Sequence, residues 1–185
     1  MIYSEILKKG SNFLKKNKIE NPYLNTELIL SKIINKKREE ILFNSNNKLK
    51  NTDLIKFKSF LLRRYHKEPM AYILGYKHFW KHKFLTNKSV LIPRPDTELI
   101  VEEAIKYLPI DKSKKILDVG TGSGCIVVSL IKERPKCVAT AIDISRKAIN
   151  VAKTNVNIGC VSVGGMINNV KTFASILMPG VQHMR

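Results

Sequence analysis

The spacing of apolar residues changes period partway along this chain. Within residues 2–16, Ile2, Ile6, Leu7, Phe13 and Leu14 fall on one side of a helix and lysines fill much of the rest. Asn21 followed by Pro22 is a helix start, and Leu24, Leu28, Ile29 and Ile33 then recur at helical spacing. Residues 37–43 predict a short third helix. Asn51 or Thr52 caps a fourth, running to about His66, with Leu54, Ile55, Phe57, Leu61 and Leu62 at its apolar positions. Residues 1–70 thus read as a small helical domain. Pro69 and Gly75 interrupt the pattern, and residues 76–86, rich in aromatics with partial alternation, predict a β-hairpin, so that 71–90 reads as a linker. Pro93 and Pro95 then hold the chain extended. Asp96 or Thr97 caps a helix whose apolar face is Leu99, Ile100, Ala104 and Leu108.

From there the rhythm is that of an α/β domain. Lys115-Ile116-Leu117-Asp118-Val119 predicts a buried strand, followed by a glycine turn and an apolar helix over residues 125–133. Residues 138–142 predict a second strand ending at Asp143, and Ser145 caps a helix that holds Ala148, Ile149 and Ala152. These are two consecutive β–α units of a doubly wound sheet. Beyond Ile158 only Val161 to Val163 suggests a further strand. Residues 159–185 read as an atypical tail, with one Lys and no acidic residue in a chain otherwise full of lysine.

Composition narrows the class without naming it. The chain has 185 residues, 44% of them hydrophobic, which is enough for a core, and 26% charged. Its apolar runs are far shorter than the ~20 residues that span a bilayer, and residues 1–9 mix Glu5 with Lys8 and Lys9, unlike a secretory leader. The expected location is cytoplasmic. Cys125, Cys137 and Cys160 have neither disulfide-framework nor zinc spacing and read as reduced, buried thiols. No metal site is expected, because His66, His78, His82 and His183 lack ligand spacing. The net charge of +18 divides into an excess of +13 over residues 1–90 and +5 over the remainder. Most of it is lysine in a Lys-, Asn- and Ile-rich composition, so direct nucleic-acid binding is open but not favoured.

The candidate chemistry lies at the first strand-to-helix turn, Asp118-Val119-Gly120-Thr121-Gly122-Ser123-Gly124. An open α/β sheet receives nucleotide-like ligands there. The Gly-x-Gly-x-Gly spacing matches neither dinucleotide nor P-loop phosphate sites. S-adenosylmethionine carries no phosphate, and suits a close-packed loop with an acidic residue, Asp118, for its ammonium. Asp143, at the end of the next strand, is placed to accept both hydroxyls of a ribose. The predicted cofactor-binding set is therefore Asp118, Gly120, Thr121, Gly122, Ser123, Gly124 and Asp143.

Four stretches together closely resemble the release-factor glutamine N5-methyltransferases, the PrmC/HemK family. They are Glu68-Pro69-Met70-Ala71-Tyr72-Ile73-Leu74-Gly75, then His78-Phe79-Trp80, then Ile92-Pro93-Arg94-Pro95-Asp96-Thr97-Glu98, and the glycine turn with Asp143. The resemblance spans residues 1 to about 157, and its Pro93–Glu98 segment is the most specific part. It implies a helical domain that recognises a class 1 peptide-chain release factor, a hairpin linker, and over residues 91–158 the first part of a class I, Rossmann-like domain that binds S-adenosylmethionine. It implies methylation of the glutamine side-chain amide in the Gly-Gly-Gln loop of the release factor, with Pro93, Arg94, Pro95, Asp96, Thr97 and Glu98 as an active-site segment. The rival classes are a DNA or RNA adenine methyltransferase, a complete dinucleotide-binding domain, and a non-catalytic release-factor-binding module.

One departure is as informative as the match. The family's Asn-Pro-Pro-Tyr occurs nowhere in these residues, and Asn21-Pro22-Tyr23 lacks the second proline and opens a helix. That motif aims a weakly nucleophilic amide at the methyl group, and orientation of this kind is worth up to ~7 to 11 kcal/mol. The expectation is therefore no catalytic residue among those present, weak turnover, and a foreign or frame-shifted ending after Asn157. Because the family's sheet places a later strand beside the first, an uncovered edge and apolar face are expected there too.

Overall fold

The computed structural model describes residues 1–160 and 167–172, and side chains through residue 158. Two compact units result, Met1–Leu74 and Gly75–Arg185.

The first unit is helical: α1 (Tyr3–Lys16), α2 (Pro22–Ile34), α3 (Arg38–Phe43), α4 (Asn51–Tyr65) and α5 (Met70–Leu74). Ile6, Leu14, Ile29, Leu30, Ile41 and Phe57 are withdrawn from solvent to form its core. Gly10 sits at a close helix contact. A Cβ there would stand 2.7 Å from the Thr26 methyl and 3.1 Å from the Phe57 ring, so α1 approaches α2 and α4 where only a hydrogen fits. The helix starts use different devices from those the sequence suggests. Pro22 does occupy the first turn, but Asn21 is left-handed (φ 48°) and its side chain makes no capping bond. Asn51 is already helical, with Lys50 before it. Glu5 and Glu40 instead reach back, accepting the backbone N–H groups of Ile2 and Lys37 at 3.3 and 3.2 Å. Buried Glu27 is matched by Arg38, and Arg63 grips Glu68 through two 2.8 Å bonds.

The second unit opens with an antiparallel hairpin, β1 (Tyr76–Phe79) and β2 (His82–Leu85), in which Tyr76 pairs with Leu85. The residues expected as a linker carry core weight here. Phe79 and Phe84 meet edge to face at 6.0 Å and are buried with Val127, Leu130 and Ile131. Trp80, at the turn, donates its backbone N–H to Glu98 and its indole N–H to Glu133, both at 2.8 Å. A 3-10 turn over Pro95–Thr97 leads into α6 (Glu98–Tyr107). Neither Asp96 nor Thr97 caps it through a side chain.

Next come β3 (Lys115–Val119), α7 (Cys125–Glu133), β4 (Val138–Asp143), α8 (Arg146–Cys160) and β5 (Ile167–Thr172). The three strands are parallel in the order β3-β4-β5, with α7 and α8 as crossovers. The third strand is therefore Ile167–Thr172, a stretch in which two asparagines and a lysine hide any strand pattern. Val161 to Val163, suggested as a strand, lies outside the described residues, as does the rest of the proposed tail at 161–166 and 173–185. Cys125 and Cys137 are buried free thiols, and burial raises the pKa of Cys125; the side chain of Cys160 lies outside those described. Among the described residues no helix is long and apolar enough to cross a membrane.

Ile116 of β3 and Ala139 and Ala141 of β4 face the core shared with α7. Leu117 and Val119 alternate to the other face and remain 62% and 66% exposed. β3 forms the sheet edge among the described residues, so this apolar face sits beside unpaired backbone. The double substitution Leu117→Thr with Val119→Thr is expected to raise the monomeric fraction in sedimentation velocity at tens of micromolar. An unchanged distribution would mean that this face takes no part in self-association.

Candidate cofactor site

The site is built where β3 and β4 end side by side. After Val119 the chain must turn sharply, and Gly120, Gly122 and Gly124 all take positive φ (77°, 54° and 79°). The backbone N–H groups of Gly120 and Thr121 both donate to the carbonyl of Ile142, at 2.8 and 3.0 Å, docking the turn on the end of β4. A Cβ added at Gly120 would meet nothing within 4 Å, so the space before the loop is open. At Gly124 it would lie 3.4 Å from Ala152, because α8 passes close behind.

Two carboxylates are fixed around this turn. Asp118 Oδ2 accepts the Thr121 hydroxyl at 2.7 Å. Burial raises the Asp118 pKa, the Thr121 bond offsets part of this, and the negative charge of Asp143 adds to the rise. A half-buried carboxylate whose lost hydration is incompletely replaced by protein groups suits a cationic ligand group. Asp143 is held by two loops at once: Oδ2 accepts Gly122 N–H at 2.9 Å and Oδ1 accepts Ser145 N–H at 2.8 Å. Each oxygen keeps a further acceptor direction. Ser145 in turn caps α8, its hydroxyl accepting Ala148 N–H at 3.2 Å.

The predicted loop residues and the two aspartates thus converge. In the Pro93–Glu98 segment, Pro93 is buried, Arg94, Pro95 and Asp96 are exposed, and the Glu98 carboxylate is committed to the Trp80 backbone. One participant in the site, Asn155, escaped the sequence reading, as did the structural tie made by Arg134. Arg134, at the end of α7, donates to the carbonyls of Ile105 and Leu108, at 3.0 and 2.6 Å, tying it to the end of α6. Asn155, buried on α8, bonds to both the hairpin and the glycine loop. Neither carries a sequence signal beyond being polar within a helical pattern or at its end.

The PrmC N-terminal domain model matches residues 5–75, and the methyltransferase small domain model matches residues 97–175. A release factor glutamine methyltransferase of Buchnera aphidicola subsp. Baizongia pistaciae is 41% identical over 152 residues, covering 82% of this chain and 54% of its own length. The chain thus carries a PrmC N-terminal domain followed by a methyltransferase small domain. A second release factor glutamine methyltransferase, from Koribacter versatilis, is 38% identical over 73% of this chain and 48% of its own length. A bifunctional methyltransferase of Rickettsia felis is 35% identical over 82% of this chain and 34% of its own. The chain thus spans about half the length of the first two relatives and about a third of the third. The methyltransferase small domain match runs past Asn157 to residue 175 and so takes in β5.

Proposed function

We propose that this chain carries the cofactor-binding part of an S-adenosylmethionine-dependent methyltransferase whose substrate is the glutamine side-chain amide in the Gly-Gly-Gln loop of a class 1 release factor, in the cytoplasm. The observation that carries the cofactor reading is the paired placement of Asp118 and Asp143 on either side of an open glycine turn. When bound, S-adenosylmethionine supplies an electrophilic methyl group on a sulfonium. Asp118 would receive the ammonium of its methionine part, with Gly120, Thr121, Gly122, Ser123 and Gly124 forming the cradle. Asp143 would accept the ribose hydroxyls through its remaining acceptor directions. Pro93 to Glu98 would border the substrate side. No residue of this chain is assigned the task of orienting the amide.

The substrate reading rests on the named relatives, described as release factor glutamine methyltransferases. Two measurements test the proposal. Calorimetry should give binding of S-adenosylhomocysteine and none of NAD; tighter NAD binding would overturn the cofactor reading. Capture of a class 1 release factor, followed over a salt series beside a structured RNA, tests the partner. Preference for the RNA, with a steep loss on adding salt, would replace the protein substrate by a nucleic acid.

The state of Asp118 adds a pH signature. A ligand ammonium favours the ionised carboxylate, whereas burial favours the protonated one. Affinity for S-adenosylhomocysteine is therefore expected to fall as pH drops through the raised Asp118 pKa, starting at higher pH than an ordinary carboxylate would dictate. Proton release on binding should be detectable by comparing buffers of different ionisation enthalpy. Asp118→Asn should weaken binding and flatten the profile; a wild-type profile unchanged by that substitution would remove Asp118 from the site.

A further inference from the structure

Asn155 lies on the buried side of α8, 3% exposed. Its carboxamide makes three hydrogen bonds. Oδ1 accepts the Leu85 N–H at 2.7 Å, while Nδ2 donates to the Leu85 carbonyl at 3.1 Å and to the Ser123 carbonyl at 2.8 Å. It therefore completes the end of β2 as a neighbouring strand would and, with its remaining proton, holds the glycine loop. The Ser123–Gly124 peptide is the one at issue. Its carbonyl is held by Asn155 and its N–H donates to the Thr121 carbonyl at 2.8 Å. Gly124, at φ 79°, would otherwise let that peptide rotate with little steric resistance. Rotation would turn the Ser123 carbonyl out of its buried bond and disturb the neighbouring Gly122 N–H, which meets Asp143.

We propose that Asn155 is a positioning residue: it sets the orientation of the Ser123–Gly124 peptide and so preorganises the glycine loop, while the same side chain fixes the end of the hairpin. The proposal deepens the cofactor reading above and rests on it for the ligand concerned. Only an amide of this length satisfies all three bonds. An aspartate keeps the acceptor for Leu85 but has no donor, a leucine has neither, and a glutamine brings an extra methylene into a filled site.

The two arms can be separated by amide hydrogen exchange on the unliganded full chain. In Asn155→Asp at neutral pH, Gly124 N–H should exchange about tenfold faster while Leu85 N–H stays protected. In Asn155→Ala both should accelerate. Val101→Ala, which opens a cavity on α6 and lowers the melting temperature without touching these bonds, should accelerate neither selectively. If Gly124 exchange is unchanged in both Asn155 variants, or if Leu85 and Gly124 rise equally in all three, the positioning role is overturned. Titration with S-adenosylhomocysteine supplies the second readout. Both Asn155 variants should bind at least about tenfold more weakly than Val101→Ala of equal melting temperature, and equal affinities would overturn preorganisation. Absence of binding by the wild-type chain would defeat the cofactor reading, while the exchange pattern would still decide the clasp.

Discussion

Asp143→Ala is expected to abolish measurable binding of S-adenosylhomocysteine at concentrations where the wild-type chain saturates. Two separate losses act together. The substitution removes the acceptor for Gly122 N–H and Ser145 N–H, so the glycine loop and the start of α8 lose their common anchor. It also removes the proposed acceptor for the ribose. Hydrogen bonds to a charged group are worth about 1.5 to 3 kcal/mol each, so losing two or more weakens binding by about two orders of magnitude or beyond. Asp143→Asn offers one carbonyl oxygen in place of two carboxylate oxygens and should fall between. Calorimetry on all three chains is the measurement, and an Asp143→Ala affinity within threefold of wild type would remove Asp143 from the ligand.

Phe84→Ala should give the largest loss of stability in the second unit, about 3 to 5 kcal/mol. The ring is almost wholly buried, stacked edge to face on Phe79 and joined to the α7 core, so truncation leaves a cavity ringed by side chains that cannot close it. Leu85, the next residue, is 40% exposed, and Leu85→Ala should cost much less. Trp80 is the chain's single tryptophan and sits between those strands, so its fluorescence reports unfolding of this unit. Equal midpoint shifts for the two alanine variants would contradict the assignment of the hairpin to the core.

The comparison of pattern with structure follows a physical line. β3, α7 and β4 lie where the sequence puts them because their apolar runs, such as Cys125–Glu133, have a clear period, although β3, expected to be buried, leaves Leu117 and Val119 exposed at the edge of the described sheet. α5 was not visible, since five residues between Pro69 and Gly75 show too little of a helical period. β5 was hidden because Ile-Asn-Asn-Val-Lys-Thr owes its extended state to pairing with β4 rather than to its own propensity. Capping was misread for a similar reason. Asn21, Asn51 and Thr97 are good capping types, but the backbone angle or the register at each position denies the side chain its bond. At the site, glycine spacing and strand-end acids could be read directly, because turn geometry and charge are local properties. The role of Asn155 could not, since it depends on which backbone groups the fold brings to one amide.

The bonds between Leu85 and Asn155 also impose an order on synthesis. They join residues 70 positions apart, and the parallel pairing of β3, β4 and β5 requires two helical crossovers to be in place. The first unit closes through contacts between neighbouring helices and is complete by Leu74, so it can fold while the remainder is still being made. The hairpin emerges next, yet Leu85, its last strand residue, waits for 70 more residues before its partner Asn155 is made. Until residues 125–133 have been made, Phe79 and Phe84 have no α7 to cover them, and in that window the nascent chain is expected to be a chaperone substrate.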